Sequence, residues 1–292
     1  MKILLIGANG QLGSDLVKVL REDHDLIPLA HADVEVTERA SVDAVLERYR
    51  PDLVMNMAAY HKVDACEEQV EPAFAVNAFA ARILALACRD HGAVLLHMSS
   101  DYVFGGDKTR RTPYVETDRP APINVYGVSK LAGEQFIQVV LDRHFLVRVS
   151  GLYGVAGSSG KGGNFVELML RLAREGKPIR VVDDQRLTPT YTVDLGHQIA
   201  ALIETRRYGL YHVTSQGDCT WYEFAAEIFR QSGLNPDLSH AKTGDFGEKA
   251  TRPAYSVLEN KALQSIGLDR MRHWKEALAA YLAERRDTHR SD

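Results

Sequence analysis

The chain has 292 residues, 45% hydrophobic and 25% charged, with a formal net charge of -4 and three cysteines. That length exceeds one small domain and leaves ample apolar material for a core. The acidic balance and the lack of a basic stripe exclude a general nucleic-acid binder, and Cys66, Cys88 and Cys219 are too scattered for a disulfide framework or a cysteine zinc site.

Three unpaired cysteines suit a reducing cytoplasm. The N-terminus runs into a strand pattern without the regions of a signal peptide, and no apolar run is expected to span a bilayer. The histidines show no HExxH spacing, and no metal site is expected.

Residues Lys2–Ile6 form a nearly uninterrupted apolar run, the pattern of a parallel strand buried on both faces. Gly7-Ala8-Asn9-Gly10-Gln11-Leu12-Gly13 follows, then a helical pattern to Leu20. Strand, glycine turn and helix make Gly7, Asn9, Gly10, Gln11, Leu12 and Gly13 candidates for a dinucleotide: glycines let backbone approach closely, and the helix start offers N–H groups to a pyrophosphate. The spacing is GxxGxxG rather than GxGxxG, and a plain strand-to-helix turn is the alternative. A strand over 25–29 would end beside the adenosine ribose. A carboxylate there would select NAD, but Ala30 and His31 occupy that place, with Asp33, Glu35 and Val36 later, so NADP is admitted and strict NAD specificity is not indicated.

Helix 39–49 stops before Pro51, and strand 53–57 continues into Ala58, Ala59 and Tyr60, small residues where a cofactor would cross the strand end or where packing is close. Residues 71–91 read as one long helix with Asn77 inside its apolar pattern, either bonding loops under the cofactor or a purely structural polar group. Strand 93–98 leads to Ser99-Ser100-Asp101, which puts hydroxyls at the carboxyl edge of the sheet, where open α/β proteins bind ligands. Tyr126 and Lys130 stand four apart at the start of a helical pattern, hence on one face. An ammonium beside the phenol would lower its pKa from about 10 and make Tyr126 a proton donor; a half-buried tyrosine beside a solvated lysine is the plain alternative.

Beyond a strand closing at 148–150, a glycine-rich insert at 155–163 reads as a lid or a disordered loop. Helix 164–175, strand 179–182, helix 192–205, strand 210–214 and helices 221–232, 260–266 and 273–285 follow, and 285–292 reads as a disordered tail. The expected architecture is α/β: a Rossmann-type doubly wound parallel sheet from 1–150 and 190–214, with a smaller, discontinuous C-terminal substrate domain from 151–189 and 215–292. Trp221 and Trp274 read as core, Asp15 as a helix-dipole partner, and Arg252 as a diphosphate or sugar ligand or a surface salt bridge.

Taken together, GANGQLG at 7–13, Asn56-Met57-Ala58-Ala59, Ser99-Ser100 and Tyr126-Gly127-Val128-Ser129-Lys130 resemble the extended short-chain dehydrogenase/reductases. More narrowly, 99–104, Asn164-Phe165, Asp184-Gln185, Pro189-Thr190-Tyr191, 221–224 and Arg252-Pro253 with Ser256, Leu258 and Trp274 resemble the dTDP-4-dehydrorhamnose reductase family over nearly the whole chain. The resemblance implies reduction of the 4-keto group of dTDP-4-dehydro-L-rhamnose by NADPH, with NADH admitted, in the cytoplasmic synthesis of cell-surface polysaccharide. It implies a catalytic Ser100, Tyr126 and Lys130. Cofactor contacts would come from the glycine turn, His31, Glu35, Val36, Ala58, Ala59, Tyr60, Asn77, Tyr126 and Lys130. A nucleotide-sugar substrate would meet Ser100, Asp101, Val103, Tyr126, Tyr153, Asn164, Gln185, Trp221 and Arg252. No nucleic acid or membrane partner is implied, and a homodimer is left open. Ser100, where threonine is common, His61-Lys62 and Leu187 depart from the family pattern. The alternatives are a nucleotide-sugar epimerase or dehydratase that recycles a bound NAD, and a non-catalytic NADP-binding regulatory subunit.

Overall fold

The computed structural model describes residues 1–156 and 163–288. The insert at 155–163 therefore falls largely outside the described residues, as does the tail beyond 288. The chain begins β1 (Lys2–Ile6), α1 (Gln11–Leu20), β2 (Asp25–Leu29), α2 (Arg39–Tyr49) and β3 (Leu53–Asn56). Then come α3 (Val63–Glu68), α4 (Val70–Phe74), a π-helical turn (Ala75–Phe79), α5 (Ala80–His91) and β4 (Val94–Ser100). A 3-10 turn (Asp101–Val103), α6 (Val125–Val140), β5 (His144–Val149), β6 (Leu152–Tyr153), α7 (Phe165–Arg174), β7 (Ile179–Val182), β8 (Arg186–Leu187) and β9 (Thr190–Tyr191) follow. The last elements are α8 (Thr192–Ile203), β10 (Gly209–His212), β11 (Cys219–Thr220), α9 (Trp221–Ser232), β12 (Leu238–Ala241), α10 (Lys261–Ser265) and α11 (Trp274–Thr288).

Six parallel strands in the order β2-β1-β3-β4-β5-β10 form the central sheet. Both faces are covered, which is why the strands read as apolar runs rather than as alternation. On one face Leu16 of α1 and Leu195 and Ile199 of α8 close over Ile3 and Leu5; on the other Leu46 of α2, Leu84 of α5 and Ile137 of α6 close over Leu4 and Val54. Each such fully buried aliphatic side chain contributes roughly 1.5–3 kcal/mol. The winding reverses between β1 and β3, and their carboxyl ends open a crevice at that switch point.

A third hydrophobic cluster joins α7, α9 and α11, with Tyr153, Tyr191, Phe224, Trp274 and Tyr281 in stacked, tilted or edge-on contact. Trp274 is thus core, as expected. α8 and β10 pack with the first cluster.

Three expectations need correction. Helix α11 continues through Thr288, so the tail is ordered up to that point. The helical run Val70–His91 is long and apolar enough, by length and composition, to cross a bilayer. Its Ala80, Ala81, Leu84, Ala85 and Cys88 are nevertheless buried against the protein, as in a core helix. Asp15 is no exposed dipole partner: it is 0% exposed beyond the first turn of α1 and accepts from Thr192 Oγ1 at 2.6 Å and Lys18 Nζ at 3.0 Å.

Candidate active site

At the cofactor end of the crevice, Gly7 turns the chain at a φ of +80°, and the N–H groups of Gly7 and Ala8 both donate to the Leu29 carbonyl, at 2.9 and 3.1 Å. This stitches the glycine turn to the end of β2. A Cβ on Gly13 would stand 2.1 Å from the Gly7 carbonyl oxygen, so any side chain there would lift α1 off the turn. Gly10 is the N-cap of α1 and no side chain caps it, which leaves the first N–H groups to a ligand. Gln11 Oε1 is buried without a hydrogen-bond partner. A tight backbone cradle, an uncapped helix start and an orphaned acceptor fit a dinucleotide pyrophosphate and its hydroxyls.

His31, Glu35 and Val36 line the far end, and Ala58, Ala59 and Tyr60 line the end of β3. Glu35 accepts from the Thr37 hydroxyl at 2.6 Å and the Thr37 N–H at 3.0 Å, which holds its carboxyl below the usual range. Asn77 lies behind the lining. Its Oδ1 accepts from Tyr60 N at 2.9 Å, and its Nδ2 donates to Tyr60 O at 3.1 Å and Ser129 Oγ at 3.0 Å, so the loop-bonding alternative is the observed one.

At the reacting end, Asn124 caps α6 by accepting from Gly127 N at 2.8 Å, which puts Tyr126 in the first turn and Lys130 one turn later. Ser100 ends β4, its hydroxyl donating to Asp101 Oδ1 at 3.0 Å and standing near enough to the Tyr126 phenol to oppose a rise in its pKa. Lys130 is 2% exposed; its Nζ donates to the Met98 carbonyl at 2.5 Å and lies 3.4 Å from His97 Nε2. The expected lowering of the Tyr126 pKa does not occur. Burial raises it, the Asp101 charge adds to the rise, and only the Ser100 hydrogen bond opposes. Lys130 is turned to Met98, and burial draws its own pKa down to about 8 against the pull of Glu134. Tyr126 is therefore held as a protonated phenol.

Of the residues expected to meet substrate, Ser100, Asp101, Tyr126, Asn164, Gln185 and Trp221 line one crevice of about 1020 Å³. Asn164 caps α7, Gln185 donates to Thr243 Oγ1 at 2.9 Å, and Trp221 packs on Phe165 at 4.6 Å. Three others lie elsewhere. Val103 and Tyr153 are at most 1% exposed in hydrophobic clusters. Arg252 does not line this crevice but donates from Nη2 to Asp64 at 2.7 Å, tying its loop to α3, while its Nη1 is buried without a partner among the described residues. Sequence reasoning missed Arg171, which lines the crevice on the same face of α7 as Leu168. The spacing 164, 168, 171 carried that signal. Ser256 lines the crevice too, but its role as a partner of Asp101 has no local signal.

A family model described as the RmlD substrate binding domain matches residues 1–286. The chain is 41% identical to the spore coat polysaccharide biosynthesis protein SpsK of Bacillus subtilis, over 97% of this chain and 98% of that one. It is also 41% identical to a dTDP-4-keto-6-deoxy-D-glucose reductase of Streptomyces niveus, over 94% of each. The crystal structure of a dTDP-4-dehydrorhamnose reductase from Bacillus anthracis in complex with NADP superposes with a TM-score of 0.91 at 40% identity, over 97% of this chain and 99% of that one.

Proposed function

The chain belongs to the RmlD substrate binding domain family, and on that premise we propose that it reduces the 4-keto group of dTDP-4-dehydro-L-rhamnose to dTDP-L-rhamnose with NADPH. The product would feed cell-surface polysaccharide, and the proposed setting is the cytoplasm. The observation that carries the reading is the convergence of Ser100, Tyr126 and Lys130 on a crevice whose other end is a dinucleotide cradle.

NADPH bound there supplies the hydride. The chain's own residues do the rest. Tyr126, a protonated phenol, gives its proton to the carbonyl oxygen as charge builds there, and the Ser100 hydroxyl, which donates to Asp101 Oδ1 in the free protein, turns its one hydrogen to the same oxygen. Lys130 meets the nicotinamide ribose. The N–H groups at the start of α1 hold the pyrophosphate, Gln11 takes a donor, and His31 and Val36 border the adenosine. Ala30 and His31 follow β2 directly, and the Asp33 carboxylate is taken up by the Ala30 N–H at 2.8 Å, so NADPH is accepted, with NADH as an admitted substitute. In this reading 1–150 and 190–214 form the nucleotide lobe, and 151–189 and 215–292 the substrate lobe, with Trp221, Gln185 and Arg171 facing the nucleotide sugar.

The test is NADPH oxidation by purified protein given enzymatically made dTDP-4-dehydro-L-rhamnose, with Tyr126→Phe beside it. Stoichiometric consumption that falls about 10²-fold or more in the variant, with NADPH binding intact, is the expected result. Turnover unchanged in Tyr126→Phe removes the proton-donor role. Conversion without net NADPH consumption indicates an epimerase or dehydratase, and tight NADPH binding with no conversion of this or a related 4-keto sugar indicates a regulatory subunit.

A further inference from the structure

Polar side chains interrupt two central strands side by side: Asn56 of β3 and His97 of β4 are register partners, 1% and 0% exposed. Neither lines the crevice. Asn56 Oδ1 accepts from the Ala58 N–H at 3.1 Å, which fixes the amide so that Nδ2 faces His97 Nδ1 at 3.0 Å. A donor at that place makes Nδ1 the acceptor, and a neutral ring then carries its proton on Nε2. Burial does hold the ring neutral, pushing its pKa well below the usual histidine range.

Nε2–H thus points at Lys130 Nζ, 3.4 Å away, while Nζ donates to the Met98 carbonyl. An ammonium would set one of its N–H groups against another N–H on the buried side of Lys130 that faces β4. An amine satisfies every group: its lone pair accepts from Nε2–H, and one of its own hydrogens goes to Met98 O. The other groups around Lys130 do not reverse this. Glu134, one turn on, favours the ammonium, but its carboxylate is answered by Arg148 of β5 at 2.8 and 2.6 Å and by the Ser99 hydroxyl. Tyr126, one turn back, is a neutral phenol, Asn77 is engaged by Tyr60 and Ser129, and Asp101 is engaged by serine hydroxyls.

We infer that His97 is a positioning residue that, oriented by Asn56, holds Lys130 back against β4 and biases it toward the uncharged amine. A ligand hydroxyl that draws Nζ forward breaks the His97 contact and restores the ammonium, so binding takes up a proton from solvent. This second step rests on the reading above, in which Lys130 meets the nicotinamide ribose; the first does not.

The experiment is nitrogen and carbon NMR of protein labelled at histidine and lysine, titrated without cofactor, with Lys130 assigned from Lys130→Met. The expected result is a His97 ring protonated at Nε2 and a Lys130 amine titrating near pH 8. In His97→Gln, whose carboxamide oxygen can face Nζ, the Lys130 midpoint should rise by about one pH unit, a tenfold tighter hold on the proton. Asn56→Leu, which frees the ring to present an unprotonated Nε2, should move it the same way. A proton on Nδ1, or a Lys130 midpoint unmoved in both variants, overturns the inference. Calorimetry of NADPH binding near pH 8 in two buffers of different ionisation enthalpy should show proton uptake. Uptake absent while the free-protein titrations hold overturns the ribose-anchor reading and leaves the His97 role standing.

Discussion

Ser256 Oγ donates to Asp101 Oδ2 at 2.6 Å, across 155 positions of chain. Ser150 reaches the same oxygen at 2.8 Å, and Ser100 donates to Oδ1 at 3.0 Å. One carboxylate therefore gathers the ends of β4 and β5 and the segment after Pro253 at the floor of the crevice. It also holds the Ser100 hydroxyl in place beside Tyr126.

Asp101 makes stability depend on pH in an unusual direction. Burial pushes its pKa up to about 6, although three serine hydroxyls oppose the rise. The folded-state pKa lies above the unfolded one, so below about pH 4 both states are protonated and no penalty arises. Between about pH 4 and 6 the unfolded chain releases its proton first, and the native state loses about 3 kcal/mol, a loss that stays constant above that window. Asp101→Asn cannot titrate. Urea unfolding of both proteins at pH 4 and pH 7 should show the wild type losing about that much relative to the variant; a difference that does not vary with pH contradicts the assignment.

Ser100→Ala removes the hydroxyl beside the Tyr126 phenol and, with it, the acceptor for the Tyr102 N–H at 3.2 Å. Loss of one donor to a developing oxyanion lowers kcat about 10²-fold. NADPH affinity, set mainly at the other end of the crevice, should stay within about twofold, and Ser100→Thr should recover most of the rate. Steady-state kinetics with fluorescence binding of NADPH checks both.

Thr192→Val leaves the buried Asp15 with Lys18 as its remaining hydrogen-bond partner, since the 2.6 Å bond from Thr192 Oγ1 ties α1 to α8. Removing one partner of a buried charged acceptor costs about 1–3 kcal/mol. The urea midpoint should fall accordingly, and Thr192→Ser should restore it, because the hydroxyl rather than the methyl makes the bond.

What the sequence made legible was periodic or local. Arg39–Tyr49, Ile179–Val182 and Trp221–Ser232 stand where apolar spacing and, for the first, a following proline place them. The glycine turn was legible because turn and helix start are adjacent in the chain. Side-chain direction was not. Val103 sits two residues from Asp101 yet faces a hydrophobic cluster, and Tyr153 joins an aromatic core assembled from α9 and α11. Arg252 finds its partner, Asp64, 188 positions away. The raised Tyr126 pKa depended on burial and on the aim of Lys130 at a strand carbonyl, which no spacing reveals.

Arg171 supplies the last prediction. It is exposed on α7, lines the crevice beside Leu168 and forms no ion pair among the described residues, whereas Arg186, the other arginine of the lining, is held by Asp218 and Glu223. A guanidinium with donors to spare suits the diphosphate of a nucleotide sugar, and a charge-assisted bond of that kind contributes about 1.5–3 kcal/mol. Arg171→Met should therefore raise KM for the sugar nucleotide at least about tenfold and leave kcat within about twofold, because the diphosphate is bound alike in ground and transition states. Added salt should weaken the wild type toward the variant. Arg252→Met is the comparison: one arm of its guanidinium pairs with Asp64 while its Nη1 is buried without a partner among the described residues, so its loss should lower the urea midpoint and move KM less than Arg171→Met does. The reverse pattern, KM rising only in Arg252→Met, would return the diphosphate to Arg252 and take it from Arg171.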